Sequence, residues 1–145
     1  MEMTDVKIEK TNANLKEMKV SEAMTKNVIT VDIDDEISKA ADGMWTQRSH
    51  SVVVLKNKKV VGIITSLDLV SILLFDKHFA REGESLIHKK AISVVENQSL
   101  VTIEESETIE AAITKMNKGR FLHLPVVKQD KLVGIITSKD IIKYL

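Results

Sequence analysis

Val61-Gly-Ile-Ile-Thr-Ser-Leu-Asp68 recurs almost unchanged as Val133-Gly-Ile-Ile-Thr-Ser-Lys-Asp140. The offset is 72, the difference between 133 and 61. Slid by that amount, Ile29-Thr30-Val31 falls on Val101-Thr102-Ile103, and Ile37, Ala40 and Met44 fall on Ile109, Ala112 and Met116. Val54, Lys56 and Lys59 fall on Val126, Lys128 and Lys131, and no gap is needed from about residue 20 to residue 70. Agreement in that order over that length is a tandem duplication. Two copies of a long repeat predict a pseudo-twofold pair rather than an extended array.

Both copies carry the same pattern. A short apolar segment (Val28–Val31; Leu100–Ile103) precedes a stretch with apolar residues at helical spacing, Ile37, Ala40, Ala41, Met44 and Ile109, Ala112, Ile113, Met116. Asp34 and Ser106 stand where an N-cap would help, and Gly119 where the second of these helices would end. Two apolar strands follow, Ser51–Lys56 with Lys59–Ile64 and His123–Lys128 with Lys131–Ile136, joined at Asn57-Lys58 and Gln129-Asp130 by connections short enough for hairpins. A second helix runs through Leu67–Phe75 or Lys139–Leu145. The expected class is α+β, built from two β-α-β-β-α units. One such unit buries too little surface to be secure alone, so two are expected to pack sheet against sheet.

Composition narrows the function. The 145 residues are 43% apolar, enough for a core and too many for a disordered chain. Lys plus Arg and Asp plus Glu are both 21, which argues against a basic nucleic-acid footprint. Only Trp45, Phe75, Phe79, Phe121 and Tyr144 are aromatic, too few for a face that stacks bases. With no cysteine, disulfides, thiolate metal sites and a Cys nucleophile are excluded. Val52–Leu55 and Leu69–Phe75 are the most apolar windows, far short of the roughly 20 residues of a membrane span. A soluble, cytoplasmic protein is expected. No nucleophile elbow, phosphate-binding Gly-rich loop or His-Glu-x-x-His occurs, and no enzyme activity is expected. The four His residues show no metal-ligand spacing.

The duplicated Gly-Ile-Ile-Thr-Ser-x-Asp sits where a strand passes into a helix. Gly62 and Gly134 permit close approach of neighbouring groups to the strand. Thr65, Ser66, Thr137 and Ser138 place hydroxyls at the helix start, where free N–H groups and the helix dipole favour an anion such as phosphate. Asp68 and Asp140 lie in the first turn, and a carboxylate accepting two hydrogen bonds matches a ribose diol. The same spacing fits a capping box, with the acid merely returning to the cap N–H. Spacing leaves both readings open. Arg48 and Arg120 occupy equivalent places before the hairpins, either reaching a phosphate or simply solvated.

These motifs together resemble the cystathionine β-synthase (CBS) domain pair, or Bateman module. Those residues are Val20-x-x-x-Met24-Thr25 leading to Val28-Ile29-Thr30-Val31, then Val61-Gly-Ile-Ile-Thr-Ser-x-Asp68, His123-Leu-Pro-Val-Val127 and Val133-Gly-Ile-Ile-Thr-Ser-x-Asp140. The resemblance implies a polar lead-in over 1–17, one repeat over 18–75, a linker over 76–90 and a second repeat over 91–145, packed with pseudo-twofold symmetry. Leu73, Leu74, Phe75, Phe79 and Leu86 are expected to extend the helix before the linker. It implies regulatory binding of AMP, ADP, ATP or S-adenosylmethionine in clefts between the repeats, with no other cofactor or metal.

In that reading Asp68 and Asp140 hold ribose. Thr65, Ser66, Thr137, Ser138, Arg48, Arg120 and His123 attend the phosphates. Val28, Ile29, Thr30, Val52, Leu100, Val101, Thr102 and Pro125 form the adenine wall. A homodimer through the second helices and the 71–90 joint is also implied, together with a regulated partner protein. Two departures are visible. Glu96-Asn97 stands in place of Met24-Thr25, and Ser51 and Val53 in place of His123 and Pro125, so the two sites should differ. The alternative is a ligand-free protein–protein interaction or dimerisation module, with nucleic-acid binding a weaker third.

Overall fold

The computed structural model describes residues 14–75 and 88–145. In chain order the elements are α1 (Val20–Ala23), β1 (Thr30–Asp32), α2 (Ile37–Gln47), β2 (Ser51–Lys56), β3 (Lys59–Thr65), α3 (Ser66–Phe75), α4 (Ile92–Val95), β4 (Ile103–Glu104), α5 (Ile109–Gly119), β5 (His123–Lys128), β6 (Lys131–Thr137) and α6 (Ser138–Ile142). The fold is mixed α+β with two three-stranded sheets, β1-β2-β3 and β4-β5-β6. The chain forms two compact units, residues 28–100 and residues 1–27 with 101–145. Each sheet is therefore completed by the leader of the other sequence repeat.

In the 28–100 unit, β1 runs parallel to β2, with Val31 beside Val54, and β2 runs antiparallel to β3, with Val54 beside Gly62. The hairpin turns at Asn57 and Lys58, both at positive φ (50° and 66°). A two-residue turn of that hand follows the natural twist of the strands. Ile37, Ala40 and Met44 form the buried stripe of α2. Ala40 and Met44 meet Val31, Val52, Val54 and Ile64 in a core that Ala91 and Val95 close from the α4 side.

The 14–27/101–145 unit repeats this plan. Val126 lies beside Gly134, and the ladder is irregular between Val126 and Val127, the counterpart of the irregularity between Val54 and Leu55. Its turn at Gln129-Asp130 again takes positive φ (50° and 64°). Leu124, Val126 and Ile136 of the sheet meet Ile109, Ala112 and Met116 of α5.

Several expectations shift. The first strand of each copy begins later than its apolar segment, at Thr30 and Ile103. The α2 and α5 caps are Glu36 and Thr108, not Asp34 and Ser106. The turn before each helix uses two residues first: the Asp32 N–H donates to Asp35 Oδ2 (2.7 Å), and the Glu104 N–H to Glu107 Oε2 (2.8 Å). Thr108 then accepts from the Ala111 N–H at 3.2 Å. Gly119 is the last residue of α5, and Arg120 carries the left-handed cap at φ 55°, as Arg48 does for α2 at φ 52°. α6 ends at Ile142 rather than Leu145.

The lead-in is not merely a solvated tail. Residues 14–17 are helical, and Leu15 is buried in the core of the second sheet's unit. The rest of the lead-in (1–13), residues 76–87 of the linker, and Phe79 and Leu86 lie outside the described residues, as do the side chains of Leu73 and Phe75. No helix among the described residues is long and apolar enough to cross a membrane.

Candidate functional site: two strand-to-helix junctions

Gly62 and Gly134 decide how each leader lies on its sheet. A Cβ on Gly62 would sit 2.5 Å from the Val95 Cβ, and one on Gly134 would sit 2.7 Å from the Met24 sulfur and 2.9 Å from the Thr25 carbonyl oxygen. Only glycine admits that approach, as the sequence suggested. Val95 therefore occupies the place of Met24, an offset of 71 rather than 72. The backbone bonds agree. Val20 N–H donates to the Glu107 carbonyl and Ala91 N–H to the Asp35 carbonyl; Ser21 N–H donates to Glu105 and Ile92 N–H to Ile33. The counterpart of Met24-Thr25 is thus Val95-Glu96, which corrects the alignment with Glu96-Asn97. Val101 follows Val95 by six positions, whereas Ile29 follows Met24 by five.

That extra residue changes the contact. Met24 is extended (φ −62°, ψ 154°), so Thr25 pairs with Ile135 in both directions, at 2.8 and 2.9 Å. Glu96 instead continues the helical turn (φ −58°, ψ −27°), and its N–H returns to the Ile92 carbonyl. Gln98 serves in its place: its Nε2 donates to the Ile63 carbonyl at 2.9 Å and its Oε1 accepts from the Ile63 N–H at 3.2 Å.

Both capping boxes form. The Thr65 N–H donates to Asp68 Oδ2 at 2.8 Å and the Asp68 N–H to Thr65 Oγ1 at 3.2 Å. The Thr137 N–H and hydroxyl both donate to Asp140 Oδ2, at 2.9 and 3.0 Å, and the Asp140 N–H returns to Thr137 Oγ1 at 3.2 Å. The Thr25 hydroxyl adds a bond to Asp140 Oδ1 at 2.9 Å. Among the described residues nothing donates to Asp68 Oδ1. Both carboxylates are half-buried.

The helix starts are less available to an anion than the sequence suggested. Ser66 N–H donates to the His50 carbonyl (2.9 Å) and Ser138 N–H to the Leu122 carbonyl (3.0 Å). With the Thr and Asp N–H groups also occupied, most of the donors a phosphate would need are already paired. α6, with five residues, also has little dipole to offer. The Ser66 and Ser138 hydroxyls are half-exposed.

The remaining expected residues scatter. Arg48 and Arg120 are exposed helix caps. Arg120 and Ser138 share an apolar cavity of about 510 Å³ with Met116, Phe121, Ile141 and others, but Asp140 does not line it. His123 is half-buried in β5, opposite Thr137 in register. Val52 is fully buried within its unit's core, and Pro125 is fully buried. Val28, Ile29, Val101 and Thr102 are half-buried; Thr30 and Leu100 are exposed. Ile29 and Thr102 have committed carbonyls, to the Val53 N–H (2.9 Å) and Lys115 Nζ (2.9 Å). Thr25 and Gln98 were absent from the expected site; the five-against-six spacing is the sequence signal that points to them.

Near α2 the acids are paired at the surface. The Asp32 N–H, and then the Lys39 ammonium at 3.1 Å, hold the Asp35 carboxyl below its usual range. His88, then Ser38, do the same for Glu36. Among the described residues no group of three or more His, Asp or Glu could hold a metal ion.

Comparison with known proteins matches the CBS domain model to residues 20–74 and 90–145. An inosine-5′-monophosphate dehydrogenase of Methanocaldococcus jannaschii is 34% identical over 127 residues, covering 86% of this chain and 23% of the enzyme. The crystal structure of the CBS-domain containing protein ATU1752 from Agrobacterium tumefaciens superimposes with a TM-score of 0.71 at 28% identity, covering 87% of this chain and 98% of that one. The CBS domain pair of protein MJ0100, in complex with 5′-methylthioadenosine and S-adenosyl-L-methionine, gives a TM-score of 0.67 at 26% identity, covering 87% of this chain and 94% of that one. This chain spans 21% to 43% of the length of the curated relatives at this level of similarity. The dehydrogenase activity therefore belongs to a much longer protein and is no indication of activity here.

Proposed function

The chain belongs to the CBS domain family, and from that premise we propose that it is a regulatory module which takes an adenosine-containing small molecule at its strand-to-helix junctions. AMP, ADP, ATP and S-adenosylmethionine are the ligand class. The observation that carries this reading is the Asp68 carboxylate, fixed through Oδ2 by the Thr65 N–H and accepting nothing from the described residues at Oδ1. A pinned, half-buried carboxylate with an oxygen to spare suits a pair of vicinal hydroxyls, and charge-assisted bonds of this kind are strong. The MJ0100 domain pair, with its two adenosine-containing ligands, supports that class. The carboxylate at such a junction suits the sugar better than the phosphates. Val28, Ile29, Thr30, Leu100, Val101 and Thr102 retain surface for the base.

A ligand moves the equilibrium between two arrangements only by its differential affinity for them. Passing occupancy to a partner protein is the regulatory consequence of such a shift. Thermal melting with AMP, ADP, ATP, NAD and S-adenosylmethionine tests the proposal. At about 100 times Kd a ligand stabilises by roughly 2.7 kcal/mol, and a chain of this size gains roughly 2–4 °C per kcal/mol. Unmoved curves at millimolar concentrations of every one of these compounds would refute it.

A second reading, as a self-associating interaction module, is favoured by one observation. Leu67 (70%), Val70 (56%) and Leu74 (79%) are exposed at helical spacing along α3, and Trp45 on α2 is 86% exposed. Apolar side chains in such a row usually meet a partner. We place a homodimer contact there. Sizing at micromolar concentration should give twice the 16.2 kDa chain mass; a lone monomer peak counts against it.

A further inference from the structure

We infer that the two junctions are unequal receptors: Asp68 takes the ligand's diol, while Asp140 is held closed by the Thr25 hydroxyl. The inference rests on the proposed function and concerns which junction performs it. An ionised carboxylate has about four lone-pair sites. At Asp140, three are used, by the Thr137 N–H, the Thr137 hydroxyl and the Thr25 hydroxyl. One remains, too few for two hydroxyls. At Asp68, one is used among the described residues, by the Thr65 N–H, and three remain. A diol can bind Asp68 without displacing any protein donor, but at Asp140 it must first dislodge one.

The cause is the single-residue difference between the leaders. A step of five positions from Met24 to Ile29 keeps Thr25 extended against Ile135, where its hydroxyl reaches Asp140. A step of six positions from Val95 to Val101 allows the helical turn at Glu96, and the sheet contact passes to the Gln98 amide. Gln98 thereby completes its sheet without touching the acid. Thr25 is a positioning residue that occupies Asp140 as a sugar hydroxyl would.

Titration calorimetry with AMP on the full chain and its variants separates the possibilities. The wild-type chain should show one tight site, lost in Asp68→Asn and kept in Asp140→Asn. Removing the hydroxyl in Thr25→Ala leaves two lone-pair sites on Asp140. It should add a second site or tighten a weak one by on the order of tenfold, the usual weight of a hydrogen bond to a charged group. Thr25→Ser, which keeps the hydroxyl, should restore the wild-type stoichiometry. A role in folding alone would move the melting temperature without creating a site. Loss of the tight site in Asp140→Asn, two equal sites in the wild type, or weaker binding in Thr25→Ala would each overturn the inequality while leaving nucleotide binding intact. Absence of binding heat with AMP, ATP and S-adenosylmethionine in every variant would instead overturn the proposed function, and this inference with it.

Discussion

The side chain of Gln98 treats Ile63 as a neighbouring strand would, donating to its carbonyl at 2.9 Å and accepting from its N–H at 3.2 Å. At the equivalent Ile135 the same two groups are met by the backbone of Thr25. An amide side chain has one donor and one acceptor side by side, so it can stand in for a peptide group.

Gln98 can be tested by chemistry rather than by size. Gln98→Ala should destabilise by about 1–2 kcal/mol, because Ile63 is only half-buried and water recovers part of the lost bonding. Gln98→Glu should be worse than Ala at neutral pH, since a carboxylate has no donor for the Ile63 carbonyl. It should recover on acidification as the carboxyl gains a proton. Denaturant unfolding at pH 7 and pH 4 measures both. Equal stability of the Glu variant at the two pH values, relative to wild type, would contradict the two-bond role.

The glycines under the leaders should resist even a methyl group. Gly62→Ala and Gly134→Ala place a Cβ within 3 Å of Val95 and of Met24 and Thr25 respectively. Overpacking of this kind costs about 1–3 kcal/mol. That corresponds to a fall in melting temperature of roughly 2–12 °C for a chain of this size. Gly134→Ala should also loosen the Thr25 bridge, since the Thr25 carbonyl oxygen is among the atoms it meets. Hydrogen exchange at the Ile135 amide reads that directly, and unchanged protection would show that the leader is placed by something else.

Leu15 tests whether the start of the described chain is structural. It is 5% exposed and lies in a core with Val20, Ile109 and Leu124. Leu15→Ala should cost about 2–4 kcal/mol, as for other buried leucines. A loss below about 0.5 kcal/mol by denaturant unfolding would return the segment to the solvated lead-in that its polar neighbours suggest.

The acids near α2 give a pH dependence with a definite sign. Asp35 is lowered chiefly by the Asp32 N–H and next by Lys39. A carboxylate whose folded pKa is lowered adds stability that is complete above its unfolded value and disappears as pH falls through the folded value. The loss should therefore fall below about pH 4. Asp35→Asn keeps an oxygen for the Asp32 N–H but cannot titrate. It should flatten the decline of melting temperature in that range and cost less than about 1 kcal/mol at pH 7, as expected of a largely surface pair. An unchanged acid slope would place the sensitivity elsewhere.

The repeated strand and helix pattern was readable because it depends on side-chain period and turn length, both local properties. Ile37, Ala40 and Met44 mark the inner face of α2 by their spacing, and Asn57-Lys58 mark a turn by the apolar runs on either side. The caps were displaced to Glu36 and Thr108 because Asp35 and Glu107 close a turn that spacing does not reveal.

By itself, the amino-acid sequence determined the duplication, the α+β class, the place of the two acids at strand-to-helix junctions and the glycines that admit close approach to a strand. Periodicity, propensity and the absence of a Cβ are written residue by residue. Only the tertiary structure decided that residues 14–27 complete the second sheet's unit, and that 88–100 complete the first. It alone decided that Thr25 belongs to Asp140 and Gln98 to Ile63. Those pairings join residues 115 and 35 positions apart, and one added residue in a leader changes which atom arrives. Local patterns record what each segment prefers, whereas hydrogen-bond partners depend on where the whole chain brings it.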